Sequence, residues 1–345
     1  PSIEIILLIC LIFCSIFCLT YIPGFIPLDT YVNLTQIDQP VCFPVDTAVP
    51  GLPRFLIPLF ITLFIFFLIK MKDPHLLVAT FTGLIICFDS NFIGLMGQSP
   101  SVSIMACCIM LSYNIGHNIL LKNKVYGFSW FMNLIISYLF AIFPPLFRPE
   151  SLGSILAIYI YYIISTFSEV CGAIGNTTRA ALQTMKMFLI GYATVLPCFA
   201  IFYFFRSKMG QVPYIHSSFN FKYMQYEFIQ HKEKWFFYAY AFICILFIKK
   251  AKYSYKSIVP LIQGIVGIIA TTFLPYESRL NTYATKLFFI KLHLMLVAGI
   301  TLGNQKSGFL SYGIPIVFLI ISALYKFREI AKYIMERPDA GTELF

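Results

Sequence analysis

Residues 54–70 read RFLIPLFITLFIFFLIK, an uncharged run from Phe55 to Ile69 bounded by Arg54 and Lys70. The run is too long for one buried strand and too apolar all round for a helix with a watered face. At about 1.5 Å per residue it covers most of a ~30 Å hydrocarbon core. Similar runs recur at 5–23, 76–96, 101–121, 127–147, 152–173, 183–205, 235–249, 257–274, 285–302 and 309–326, of which 235–249 is short. Lipid offers the backbone no hydrogen-bond partners, so such runs are expected as helices and not as open strands. The expected fold class is all-α: a polytopic integral membrane helix bundle with 10–11 transmembrane helices, residues 1–345 forming a single transmembrane domain.

Composition agrees. Hydrophobic residues make up 59% of the chain and charged residues 12%, about half of what coats a soluble domain. Phe (37) and Tyr (22) are frequent, as lipid-facing bulk and interfacial belts require. The net charge of +10 sits mainly in short loops between apolar runs, which points to retention of Lys and Arg on the cytoplasmic side and away from nucleic acid as a partner. No basic stretch precedes the run 5–23 and no small-x-small site closes it, so it is expected as a retained span and not a signal peptide.

The loops suggest an orientation. Segment 24–53 carries Asp29, Asp38 and Asp46 without Lys or Arg, and holds the acceptor sequon Asn33-Leu34-Thr35. It is expected as a non-cytoplasmic loop with Asn33 as a candidate glycosylation site. Lys70 and Lys72, then Lys122 and Lys124, fall in loops of the opposite side. The alternation breaks at 206–234, a polar and aromatic extramembrane loop with Arg206, Lys208, Lys222, Lys232 and Lys234 that alternation would place outside. Residues 327–345 are expected as an exposed tail, with a short exposed helix ending at Pro338. Partners implied are the lipid bilayer and further subunits docking through 206–234 and the tail. The expected localisation is an integral membrane one, in the secretory pathway or plasma membrane or in an organellar inner membrane.

Ionisable groups inside apolar runs are the strongest functional signal, because a charge at a helix centre costs about 2.5–3.5 kcal/mol to insert. Asp89 and Asn91 lie in 76–96. Asn114, His117 and Asn118 share a helix face at i, i+3, i+4 spacing. Glu169 stands near the end of 152–173, and Lys291 and His293 lie in 285–302. Gathered around one cavity, Asp89, Asn91, Asn114, His117, Glu169, Lys291 and His293 would form an intramembrane site for an ion or polar substrate. As structural pairs or surface-snorkelling groups they would do nothing more than pack. Pro197 and Pro315 interrupt their runs and are candidate gates. Gly172-x-x-Gly175, Gly264-x-x-Gly267 and Gly299-x-x-x-Gly303 are expected to allow helices to approach closely.

No phosphate-binding glycine loop, HExxH or GxSxG is present, and no Cys/His spacing suits a metal. Neither cofactor nor metal is expected, and a non-enzymatic role is preferred. The expected function is a transporter or channel for a small polar metabolite or ion. The alternatives are a membrane-embedded subunit of a larger, for example energy-transducing, assembly and an integral-membrane lipid-modifying enzyme using Asp89, His117 or Glu169 as acid or base.

Overall fold

The computed structural model describes residues between Pro53 and Glu336, excluding 72–75, 89–91, 93–95, 97–99, 122–127, 148–151, 209–214, 217–234, 274–275, 278–279 and 306–307. The described chain is all-α. Its helices are α1 (Pro53–Met71), α2 (Leu76–Phe88), α3 (Pro100–Leu121), α4 (Phe128–Phe147) and α5 (Leu152–Ile174). They continue with α6 (Thr177–Lys208), α7 (Trp235–Leu246), α8 (Tyr255–Phe273), α9 (Leu280–Gly303) and α10 (Gly308–Glu336). Each overlaps one apolar run of the sequence. The run 5–23, the loop 24–53 and Asn33 lie outside the described residues. Regular pairing of extended backbone is confined, among the described residues, to Ile215–His216 against Tyr276–Glu277, antiparallel.

Several boundaries differ from the hydropathy reading, and α6 and α9 begin ahead of the runs 183–205 and 285–302, at Thr177 and Leu280. The run 235–249 is not one helix: α7 ends at Leu246 and a 3-10 turn covers Ile248–Lys250. At the other end, α10 is continuous from Gly308 to Glu336, so the beginning of the expected tail extends the last helix. Alternating Lys, Arg and Glu at helical spacing is as compatible with a helix as the apolar run before it, and hydropathy sees only the change in polarity.

The order of the helices in space follows from α9. Its residues from Phe288 to Leu302 are buried, apart from a half-buried Leu294. A helix enclosed on every side stands at a centre. Around it stand α1, α2, α7, α8 and α10. The close approaches use glycine: a Cβ at Gly299 would lie 2.7 Å from Leu68 Cδ1 of α1, and one at Gly264 of α8 would lie 2.6 Å from Val297 Cγ2. Aromatic packing fills the wider gaps, with Phe92 stacked on Phe288 at 4.1 Å between centroids. A second group, α3, α4, α5 and α6, packs mutually and joins the first through α1–α3 and α5–α8.

The junction of α5 and α6 shows how locally the turns are specified. Gly175 adopts φ 68°, a left-handed conformation that closes α5, and its N–H donates to Cys171 O at 2.9 Å. Asn176 then caps α6, its Oδ1 accepting from the N–H groups of Thr178 and Arg179, both at 3.1 Å.

Polarity is distributed unusually about α8. Ser257, Gln263, Gly264, Gly267 and Thr271 are buried, while Ile258, Ile262, Ile265 and Ile269 form an exposed stripe. Similar outward stripes run along α6 (Leu182, Met185, Leu189, Leu196) and α10 (Ile316, Val317, Ile320, Leu324, Phe327). Counting only described residues, no helix is long and apolar enough to cross a membrane.

Candidate functional site

The polar interior is built from α3, α8 and α9. Tyr113 and His117 lie one turn apart on α3, and Phe67 of α1 packs against both. The Phe67 and Tyr113 rings are stacked 5.5 Å apart, and His117 meets Phe67 edge-on at 6.3 Å. Tyr113 reaches His293 of α9, with 2.9 Å between Oη and Nε2. The other ring nitrogen of His293, Nδ1, lies 2.7 Å from Phe289 O.

These two contacts fix the tautomer. A carbonyl oxygen only accepts, so Nδ1 carries the proton and donates to Phe289 O. Nε2 is then the acceptor, and the Tyr113 hydroxyl donates to it. The imidazole is neutral and fully enclosed. On its far side stands Gly267 of α8, where a Cβ would fall within 3.0 Å of His293 Cδ2, Nε2 and Cγ. The ring therefore occupies the space that the missing glycine side chain leaves.

Gln263 stands one turn before Gly267 on the same face of α8. It is 2% exposed, and neither Nε2 nor Oε1 has a hydrogen-bond partner. Thr271, one turn beyond Gly267, is also buried and its Oγ1 has none. Among the other buried threonines, Thr82 and Thr184 each return a hydrogen bond to the carbonyl four residues earlier, while Thr80 Oγ1, like Thr271 Oγ1, has no partner.

Asn114, next to Tyr113, is a structural bridge. Its Nδ2 donates to Leu63 O of α1 and to Met110 O of its own helix, each at 2.9 Å. Ser112 donates across to Ser137 O of α4 at 3.0 Å. These bonds hold α3 in register with its neighbours and so hold Tyr113 at His293.

Lys291 serves a different neighbour. Two residues along a helix turn a side chain by about 200°, and its Nζ lies over the Tyr238 ring of α7, 5.4 Å from the centroid. Tyr240, also on α7, reaches Thr82 of α2 at 3.1 Å. The Thr82 hydroxyl proton is already given to Val78 O, so Tyr240 is the donor.

Of the residues singled out in the sequence, His117 and His293 thus share the aromatic neighbourhood of Phe67 and Tyr113. Asn114 faces backbone, and Lys291 faces α7. Asp89 and Asn91 lie outside the described residues, as does the side chain of Glu169, whose backbone belongs to α5. Helices α6 and α10 are assigned without a break across Pro197, which is exposed, and Pro315, which is buried. Among the described residues, no three His, Cys, Asp or Glu side chains gather as metal ligands would.

Sequence reasoning passed over Tyr113 and Gln263. Tyr113 was within reach of it, since it lies four residues before His117 and therefore on the same helix face. Gln263 carried a weaker signal, an amide beside two interior glycines in an otherwise apolar helix.

Compared with known protein families, with curated proteins and with solved structures, the chain matches none. Function is therefore argued from this polar interior alone.

Proposed function

We propose that the chain is a polytopic membrane protein that carries a small polar solute, with the Tyr113–His293 pair and Gln263 lining its route. The observation behind the reading is a few polar side chains held within an otherwise apolar core, beneath exposed apolar stripes. Buried Gln263, Thr271, His293 and Tyr113 face inward, while isoleucine, leucine and phenylalanine stripes face outward on α6, α8 and α10. Water-soluble helices turn such stripes inward, and exposed apolar stripes on several elements call for an apolar surrounding. Helix length is compatible. Taken over their whole sequences, α1, α3, α4, α5, α6, α8, α9 and α10 run from 19 to 32 residues. That range is about 28–48 Å, against a ~30 Å core.

A carrier also gives the interior polarity a use. Polar groups in an apolar interior are costly and are kept where they meet one another or a solute. The Tyr113–His293 pair is satisfied within itself, and a carboxamide offers both a donor and an acceptor.

The test has two stages. The chain is expected to stay in the membrane pellet after alkaline carbonate extraction, and its release would refute the membrane reading. Proteoliposomes are then assayed for uptake of labelled small solutes, with Tyr113→Phe as the comparison. Protein-dependent uptake that falls at least about tenfold in Tyr113→Phe is expected. Absence of uptake across the panel, together with stoichiometric co-purifying proteins in mild detergent, would replace the carrier with the subunit of an assembly.

A further inference from the structure

Gln263 and Thr271 carry more than the carrier reading uses. Three of their polar atoms, Gln263 Nε2, Gln263 Oε1 and Thr271 Oγ1, are buried without a partner. They lie two turns apart on the inward face of one helix, with Gly267 between them. A buried amide without partners is strongly unfavourable. Apolar alternatives such as Leu or Met fit the same helix position without that cost. Thr271 is informative in its own right. Its neighbour Thr272 returns its hydroxyl to Ile268 O at 2.7 Å, the common arrangement in helices. Thr271 makes no such bond, so its hydroxyl remains available to something else.

The described groups beside these atoms set the charge of what is recognised. Tyr113 is a neutral donor, already committed to His293, and His293 is the neutral tautomer already committed at both nitrogens. An ion placed against neutral groups in a low-dielectric interior is severely penalised, whereas a neutral solute is not. The carboxamide sets the pattern. Its N–H and C=O point the same way, and the partner that satisfies both at once presents an acceptor and a donor side by side. Primary amides and ureas do this with two parallel hydrogen bonds. Thr271, about 12 Å further along the helix, would meet such a solute at a second position. Size is bounded too, because Gly264 and Gly267 bring α8 against Val297 and His293 of α9.

We infer that the α8 face bearing Gln263 and Thr271 recognises a small uncharged solute with a primary-amide or urea-type group. The inference rests on the carrier reading for its transport consequence, but recognition is measurable without transport.

The experiment uses the full chain, in proteoliposomes for uptake and in lipid nanodiscs for melting. The uptake probe is radiolabelled urea at millimolar concentration, with acetamide, N,N-dimethylacetamide and acetate as competitors. Urea uptake should be blocked by acetamide and not by N,N-dimethylacetamide, which lacks the donor, nor by acetate. Gln263→Leu should lose uptake about tenfold or more while melting at the same temperature as wild type or higher. Thr271→Val should lose several-fold. A lowered melting temperature in Gln263→Leu would show that the amide is a packing element and overturn the site. If another solute passes and Gln263→Leu leaves its passage unchanged, the amide site is refuted while the carrier stands. If nothing passes, melting decides. A rise with acetamide in wild type, absent in Gln263→Leu, keeps the site and removes the carrier, and no rise removes both.

Discussion

Gly267→Ala is the sharpest single test of the interior. The added Cβ would sit within 3.0 Å of His293 Cδ2, Nε2 and Cγ. An imidazole is rigid, and this one cannot retreat freely, because Nδ1 is held by Phe289 O at 2.7 Å. Either the ring turns away from Tyr113 or α8 and α9 separate. Overpacking of this kind costs about 1–3 kcal/mol. Loss of the Tyr113 contact strands two buried polar atoms, for about 1–3 kcal/mol more. Against this, alanine in a helix interior gains about 1 kcal/mol over glycine. The net is a destabilisation of about 1–5 kcal/mol. The control is Gly172→Ala on α5, where a Cβ would meet nothing within 4 Å and only the helix gain remains. Thermal unfolding of the purified chain in detergent, followed by circular dichroism, should separate the two variants by at least about 2 kcal/mol. Equal stability would mean that His293 does not lie against Gly267, and the site would fail with it.

Three further outcomes are expected. Asn114→Leu removes the bonds to Leu63 O and Met110 O and should cost about 1–3 kcal/mol in the same melt, as the sum of two lost hydrogen bonds, since both carbonyls lie inside helices; an unchanged melt would contradict the α1–α3 register. Tyr240→Phe should cost less, about 1 kcal/mol, because Thr82 keeps its bond to Val78 O; a loss above that of Asn114→Leu would reverse the ranking drawn from the geometry. Among the described cysteines, Cys171 is partly exposed while Cys87, Cys107, Cys108 and Cys244 are buried. A maleimide should therefore label Cys171 well before those four in the native chain, read by mass analysis of peptides, and equal rates would show the interior to be open.

The candidate site was only partly legible. His117 and His293 stood out because an ionisable group in an apolar run is rare and expensive, whatever it contacts. Asn114 stood out for the same reason and turned out to serve backbone carbonyls. Lys291 and His293 are two residues apart, and nothing in their spacing says that the intervening half-turn sends one to Tyr238 and the other to Tyr113. Gln263 looked ordinary, since an amide acquires meaning only when its surroundings are found to lack partners for it.

The sequence by itself determined that the described chain is helical and roughly where its helices lie, because apolar runs of this length exceed what a strand uses. That 285–302 stands at the centre was not legible in it, since this run carries Lys291 and His293 and is no more apolar than its neighbours. Tertiary structure alone decided which helices meet across that centre, and so which side chains do. Helical periodicity assigns each residue to a face but leaves the rotation of one helix against another open. Here that rotation is set by close approaches at Gly264, Gly267 and Gly299 and by the Tyr113–His293 and Asn114–Leu63 bonds. Those contacts join residues as many as 180 positions apart in the chain. No local pattern encodes such a pairing, and the polar interior exists only once it is made.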